Sequence, residues 1–569
     1  MNYRKRQHAE GEDSAPQDLA DFVASHPPPE GKGNGEVSTA NLAFIAFVAN
    51  IGSFLFGFDF GAICWFLASI EDSTDDGNIY FRIIISNDGW IGLIAAGASI
   101  GAFFTYLSLL FFGNSIPKRD EIMIAALLFF IGALCESFSG DMSWSTWYGL
   151  SIFLVGRFIY GAGIATSFHS VPIYVSEIGP AELRGMIGSS TESMISTGVV
   201  VSYIVGYCYQ EPFGWIVTFR IAYIVALVMG LLAMFLPHSP AYMVRHGYDK
   251  TEVLQSIQFV KPFADDGDLQ QLQLSFDEEL KERKRWDVKW RKSPASDGCC
   301  SSIFELLPSE VKALVSDGAL RRCLSLALIL VMLQMFAGQS AVLYFANDIF
   351  ETICPTNPDD CILGLGIAKL LSAYSMLFIA DSFGRREFLV GGLSIMNAGL
   401  ITLICGIRYD STYAAVTGIY VAMMGYEVSL GTMLWILLNE IFPRFVRSAA
   451  NSIAVSSLFL WSVVVTFSLP LLYDSVGLMY VFVIFTCASG ISLFLVFLFV
   501  PDTRGVDIEV AYKLVKTQCD ESLSPIGLGS EEEEEDETEM LDDVSDASDE
   551  SFMLIHPTHR KSDSEPVMI

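Results

Sequence analysis

Residues 176–185 read SEIGPAELRG and residues 439–448 read NEIFPRFVRS. Both contain Glu-Ile-x-Pro-x-x-x-Arg: Glu177, Ile178, Pro180 and Arg184, then Glu440, Ile441, Pro443 and Arg447. A basic pair lies upstream of each copy, Lys118–Arg119 and Arg385–Arg386, and apolar runs of membrane-spanning length separate all four elements. Charged punctuation at matching places in two hydrophobic halves is the pattern of a membrane carrier built from repeats.

The composition agrees. A chain of 569 residues that is 52% hydrophobic, with a mean hydropathy of +0.44, is too apolar to be soluble. At about 20 residues per spanning helix, the apolar runs predict spans at 42–66, 89–112, 121–139, 147–172, 187–209, 213–236, 319–345, 363–383, 387–408, 411–438, 449–472 and 477–500. The expected fold is an all-α membrane protein of twelve transmembrane helices in two six-helix halves, 41–236 and 319–505. A disordered leader (1–40), a linker (237–318) and an acidic tail (506–569) complete the plan. The leader has no apolar h-region, so no cleavable signal peptide is expected.

Lys118, Arg119, Arg184, Arg385, Arg386, Arg444, Arg447 and the stretch KERKRWDVKWRK (281–292) fall on one side of these spans. The opposite loops hold Asp72, Asp141, Asp360 and other acids with few Lys or Arg. The positive-inside rule places the basic set, and both termini, in the cytosol. Which membrane, plasma membrane or endomembrane, is left open.

About half of the net charge of −31 lies in the tail and not in the spans: residues 519–569 hold 17 acidic against 2 basic residues. No basic nucleic-acid surface, phosphate-binding Gly loop, nucleophile–base pair or metal-ligand spacing is present, so neither an enzyme nor a cofactor or metal is expected. Cys354 and Cys361 share a short outer loop, ICPTNPDDCI, as a disulfide or as two free thiols. In the linker, Leu269, Leu272, Phe276 and Leu280 recur at helical spacing and predict a short amphipathic helix under the membrane domain or an ordinary solvated one. In the tail, Ser530, Ser545, Ser548 and Ser562 have acidic surroundings that suit acidophilic kinases. Glu550-x-x-x-Leu554-Ile555 fits an acidic dileucine signal for a sorting adaptor, and a plain solvated tail is the alternative.

The segment 156–185, together with LQMFAGQSAVLYF (333–345), DSFGRR (381–386), NEIFPRFVRS (439–448), VPDTRG (500–505) and FGFD (56–59), resembles the sugar porter family of the major facilitator superfamily over residues 42–510. The resemblance implies transport of a small polar solute by alternating access. It also implies inner-face salt bridges that gate the cavity, among Lys118, Arg119, Glu177, Arg184, Asp381, Arg385, Arg386, Glu440 and Arg447. Interfacial anchoring is the plainer role for these groups. The N-half basic element departs from the family: FGNSIPKRD (112–120) has Asn114, Pro117 and Lys118 in place of Asp, Gly and Arg, which predicts a weaker N-half lock.

Ionisable groups at bilayer depth are functional candidates by default. Asp59 and Arg157 lie within the first and fourth spans. In proton-coupled members the matching Asp takes the proton and the matching Arg tunes it, so the resemblance favours proton symport over uniport; a structural ion pair is the alternative. At sugar-contact positions, Phe56, Trp435 and Gln334 match the family. Met335, Ser340, Glu192 and Lys369 stand where the family has Gln, Asn, Gln and Asn, and Leu458 fills a further polar position. Glu427, eight residues before Trp435, fits a Glu with a gating role. Glu192 and Lys369 come from opposite halves, and either pair across the cavity, bind a charged or zwitterionic solute, or turn away. Three functions follow: transport of a sugar or sugar-like polar solute, with protons by way of Asp59; transport of a charged or zwitterionic metabolite on the same fold; and a non-transporting nutrient sensor that signals through the tail.

Overall fold

The computed structural model describes residues 38–71, 88–113, 116–140, 146–179, 184–209, 214–291, 308–379 and 384–500. Residues 516–569 separate as a second unit, and all of it lies outside the described residues. Residues 1–37 of the leader, the kinase and dileucine patterns and Asp381 lie outside them as well.

In lipid a spanning backbone satisfies its own N–H and C=O groups, and helices do this without an edge. The first half comprises α1 (Thr39–Glu71), α2 (Asp88–Phe112), α3 (Lys118–Ser139), α4 (Thr146–Ile178), α5 (Arg184–Cys208) and α6 (Gly214–Ala233). The linker folds into α7 (Pro240–Arg245), α8 (Lys250–Val260), α9 (Asp266–Arg291) and α10 (Ser309–Ser316). The second half opens with a broken span, α11 (Gly318–Phe336) and α12 (Gln339–Tyr344), followed by the short α13 (Ala346–Ile353). Then come α14 (Pro358–Ile379), α15 (Arg385–Arg408), α16 (Thr412–Tyr426), a π-helical turn (Glu427–Gly431), α17 (Met433–Glu440), α18 (Arg444–Val476) and α19 (Leu478–Phe499).

Eleven spans among the described residues are long and apolar enough to cross a bilayer. The expected twelfth is α5, which has the length, 25 residues, but carries Ser190, Glu192, Ser193, Ser196 and Ser202. Its polar side chains are tolerable because α5 is wedged between α1 and α14.

The two halves repeat one packing plan. In the first, α3 packs on α4 and α6, α1 on α5, and α2 on α4. In the second, α15 packs on α16 and α19, α11 on α18, and α14 on α16. Small residues permit this, because in lipid no hydrophobic force draws helices together. A Cβ built on Gly161 of α4 would stand 1.9 Å from the Ala98 carbonyl oxygen of α2, so only glycine fits there. The halves meet along α2 with α18 and along α5 with α14. Ser99 and Ser462 hydroxyls bond across the first seam at 3.0 Å. The Ser193 hydroxyl donates to the Ala373 carbonyl across the second at 3.2 Å.

The α11–α12 break falls at Gly338, with φ +84°, where a Cβ would press on the Phe485 ring at 2.4 Å. In the linker, Leu269 of α9 is buried with Met243 of α7 and Val253 of α8. The amphipathic stripe thus closes a small core of linker helices, and Arg245 stacks over Phe276 at 5.8 Å. The linker reaches the bundle through Asn41, whose amide donates to the Phe259 carbonyl at 2.8 Å.

Candidate functional site

Two clusters of charge lie deep in the bundle, and each sets two carboxylates against one cation. The first is in the N-half. Arg157 of α4 is fully buried and Asp59 of α1 is 2% exposed. The guanidinium forms a fork on the Asp59 carboxylate, Nη1 to Oδ1 and Nη2 to Oδ2, the latter at 3.0 Å. Its Nε donates to the Ile94 carbonyl at 3.3 Å and its Nη1 reaches Glu136 Oε1 of α3 at 3.5 Å. Such a fork is the strong, planar geometry that arginine offers a carboxylate. Asp59 Oδ2 also accepts from the Tyr344 hydroxyl of α12 at 3.1 Å, so the second half touches the N-half carboxylate directly. Glu136 Oε2 is buried without a partner.

The second cluster lies on the α5–α14 seam. Lys369 of α14 is fully buried, as is Glu427 of the π turn, while Glu192 of α5 is 8% exposed. The ammonium donates to Glu192 Oε1 at 2.9 Å and to Glu427 Oε1. The pairing of Glu192 with Lys369 across the halves is therefore present, with Glu427 as a third member. Gln339 of α12 donates to Glu427 Oε1 at 3.5 Å, and Glu427 Oε2 is buried without a partner.

The π turn that carries Glu427 is held from α11. The Gln334 amide nitrogen donates to the Tyr426 hydroxyl at 3.1 Å and to the Leu430 carbonyl at 3.0 Å. Residues of α11 thus brace the turn, and π turns of this kind recur at functional sites. Gln334 Oε1 is left buried and unpartnered, a free acceptor beside the cluster. Met335 and Ser340, nearby in sequence, are buried, as is Leu458 of α18.

Phe56 and Trp435 belong to an aromatic group that closes between the halves. Phe168 of α4 lies edge-on to Phe56 at 5.2 Å and to Trp435 at 6.0 Å. Phe459 of α18 meets Phe56 at 6.4 Å and stacks on Tyr106 at 5.8 Å. Such rings offer a sugar flat apolar faces while amides and carboxylates take its hydroxyls.

The inner-face residues are less uniform than the resemblance implied. Lys118 turns into its own helix: it pairs with Glu121 at 2.8 Å and donates to the Gly113 carbonyl at 2.5 Å. Glu121 also bonds His169 Nδ1 at 3.0 Å, which makes His169 part of a buried polar knot. Arg119 reaches the Met234 carbonyl at 2.8 Å and His238 Nε2 at 3.3 Å. Glu177 accepts from the hydroxyl of Ser239, the residue that caps α7. Arg386 donates to the Phe497 carbonyl at 2.5 Å and stacks over its ring at 5.2 Å. Arg447 donates to the Phe442 carbonyl at 3.2 Å, and Arg385 is half-buried. Asp381 and the side chains of Arg184 and Glu440 lie outside the described residues. Cys354 and Cys361 are both free thiols, so the bonded alternative is not the one seen.

Glu136 and Tyr344 were not singled out by the sequence. Glu136 sits inside the apolar span 121–139, so the rule that found Asp59 and Arg157 finds it too. Tyr344 had no such signal, because a tyrosine in an apolar run is most often core.

A family model described as "Sugar (and other) transporter" matches residues 45–514. Among curated relatives, "D-xylose-proton symporter-like 3, chloroplastic" of Arabidopsis thaliana is 28% identical over 526 residues, covering 89% of this chain and 87% of that protein. "Glucose transporter GlcP" of Staphylococcus epidermidis is 26% identical and covers 84% and 98%. The Escherichia coli xylose transporter XylE, in a partially occluded inward-open form, superposes with a TM-score of 0.65 at 21% identity, over 82% of this chain and 99% of that one. That likeness shows the major facilitator fold. The chain is a multi-pass membrane protein, and it belongs to the sugar transporter family of carriers rather than to any class of enzyme.

Proposed function

We propose that the chain moves a sugar or sugar-like polar solute by alternating access, together with a proton taken up on Asp59. One observation carries this reading: a buried Asp59–Arg157 fork is tied by the Tyr344 hydroxyl to the broken seventh span of the other half. When Asp59 takes a proton, it loses charge for the Arg157 fork and acceptor strength for Tyr344, so proton binding and the position of α12 are linked. The printed functions of the relatives, proton symport of D-xylose and of galactose, support the same reading.

The charged-metabolite reading is weakened by the pairing of Lys369. Its ammonium is already shared between Glu192 and Glu427, and a solute carboxylate would have to displace one of them. The solute site would lie between the aromatic group of Phe56, Phe168 and Trp435 and the free acceptor of Gln334. Both termini would be cytosolic on the basic-loop asymmetry, in the plasma membrane or an endomembrane. The acidic tail would serve regulation, as kinase substrate or adaptor ligand.

The test is reconstitution of the full chain into proteoliposomes, with counterflow measured for D-xylose, D-glucose, D-galactose and charged sugar acids. Counterflow of a neutral sugar supports the proposal. Counterflow of charged solutes alone would replace the substrate class, and no counterflow with any solute would favour a sensor.

A further inference from the structure

The charge count of the two clusters is the same. Arg157 faces Asp59 and Glu136, and Lys369 faces Glu192 and Glu427. With every group ionised, each cluster carries a net charge of −1. Each also contains one carboxylate oxygen, Glu136 Oε2 or Glu427 Oε2, that is buried and unpartnered. An uncompensated charge in a site this dry is expensive, and a proton is the cheapest way to remove it.

We propose that Glu192, Lys369 and Glu427 form a second proton-binding site, separate from Asp59, in which the two carboxylates share one proton. Glu192 Oε1 and Glu427 Oε1 accept from the same Lys369 ammonium, which holds the two carboxylates side by side. Two carboxylates at that range cannot both stay ionised without further compensation, and Lys369 supplies only one positive charge. The surroundings add none. α16 presents Tyr426, which the Gln334 amide engages, and α12 presents the neutral amide of Gln339. On α15, Gly392 lies against Ser429 of the turn and Met396 against Gly425 just before it, and neither carries a charge. Lys369 is thus the one cation that reaches Glu427 among the described residues.

The placement gives the second proton a job that the first lacks. Glu192 belongs to one half, and Lys369 and Glu427 to the other, so parting along the α5–α14 seam separates them. While the seam is closed and dry, the shared proton balances the cluster. When the seam opens to water, both carboxylates can be hydrated and the proton leaves to solvent. Proton occupancy of this site and closure of the seam are therefore linked, whatever the solute. The inference shares with the proposed function only the premise that protons take part in the cycle.

Infrared difference spectroscopy of the full chain in lipid bilayers, stepped in pH with and without D2O, reads buried protonated carboxyls directly and needs no solute. The wild type should give two such carboxyl signals, one from each cluster. Asp59→Asn should remove one and Glu427→Gln the other, because each neutral change leaves one carboxylate matched to one cation. Glu192→Gln should remove the same signal as Glu427→Gln, which covers the case in which the latter fails to fold. A single wild-type signal that disappears in Asp59→Asn overturns the second site without any variant of it. A Glu427→Gln spectrum identical to the wild type overturns it as well. Two signals in a chain that moves no sugar would leave this site standing and remove the sugar reading instead.

Discussion

The two buried clusters share a charge count and differ in where they are anchored. Asp59, Glu136 and Arg157 all come from helices of the first half, and among the described residues the Tyr344 hydroxyl alone bonds to them from the second. Glu192, Lys369 and Glu427 straddle the seam between the halves. The first cluster can keep its ion pair throughout a rocking cycle. The second cannot keep all of its bonds, because Lys369–Glu192 crosses the surface along which the halves part while Lys369–Glu427 stays within the second half. Buried charge inside one rigid unit suits a site that binds and holds a proton. Buried charge across a moving seam suits a latch.

That contrast can be broken most severely at its cations. Arg157→Met leaves Asp59 and Glu136 facing each other in a dry site and should destabilise the protein by about 3–5 kcal/mol, as expected for a buried pair that loses one partner. Thermal unfolding in detergent measures this, and a loss no larger than that of a surface arginine would remove the first cluster from the account. Lys369→Asn should cost a similar amount. Restoring Gln at 192 in that background should recover little, because Glu427 remains unmatched. Recovery should require Glu427→Gln as well, and a double-mutant cycle should give the larger coupling to Lys369–Glu427, where both side chains are fully buried. Coupling confined to Lys369–Glu192 would restore a simple two-residue pair.

Tyr344→Phe is a smaller and sharper change. It removes one hydrogen bond to a charged group, about 1.5–3 kcal/mol, and frees α12 from the first cluster. Uptake driven by a pH gradient should fall further than solute exchange at equal pH. Equal losses in both would make Tyr344 a packing residue. The smallest effect should come from removing residues 519–569, which lie outside the membrane-spanning helices. Reconstituted transport rates should be almost unchanged, and abolished transport in a folded truncation would make the tail part of the carrier.

Much of this was legible in the sequence because lipid leaves few choices. Apolar runs of spanning length have to be helices, and the repeated Glu-Ile-x-Pro-x-x-x-Arg motif marks two equivalent halves. The span 187–209 was also legible as α5, although its polar residues on the seam leave it less apolar than the other eleven. Glu192 and Lys369 could be paired from their positions, but the third member could not. Glu427 opens a π turn, and a single sequence gives no signal that places its carboxylate on Lys369. Lys118 shows the reverse: its place in a basic element suggested an interhelical bridge, yet Glu121, three residues on, captures it within its own helix.

In the proposed function, Asp59 is the carboxylate through which a pH gradient drives the solute. Concentrative uptake of a neutral sugar into proteoliposomes under an imposed pH gradient tests it most directly, with wild type and Asp59→Asn compared side by side. Asp59→Asn should lose accumulation while retaining exchange of solute at equal pH, because the aspartate that takes the proton has gone and the aromatic and amide contacts remain. Accumulation by Asp59→Asn equal to that of the wild type would contradict the account.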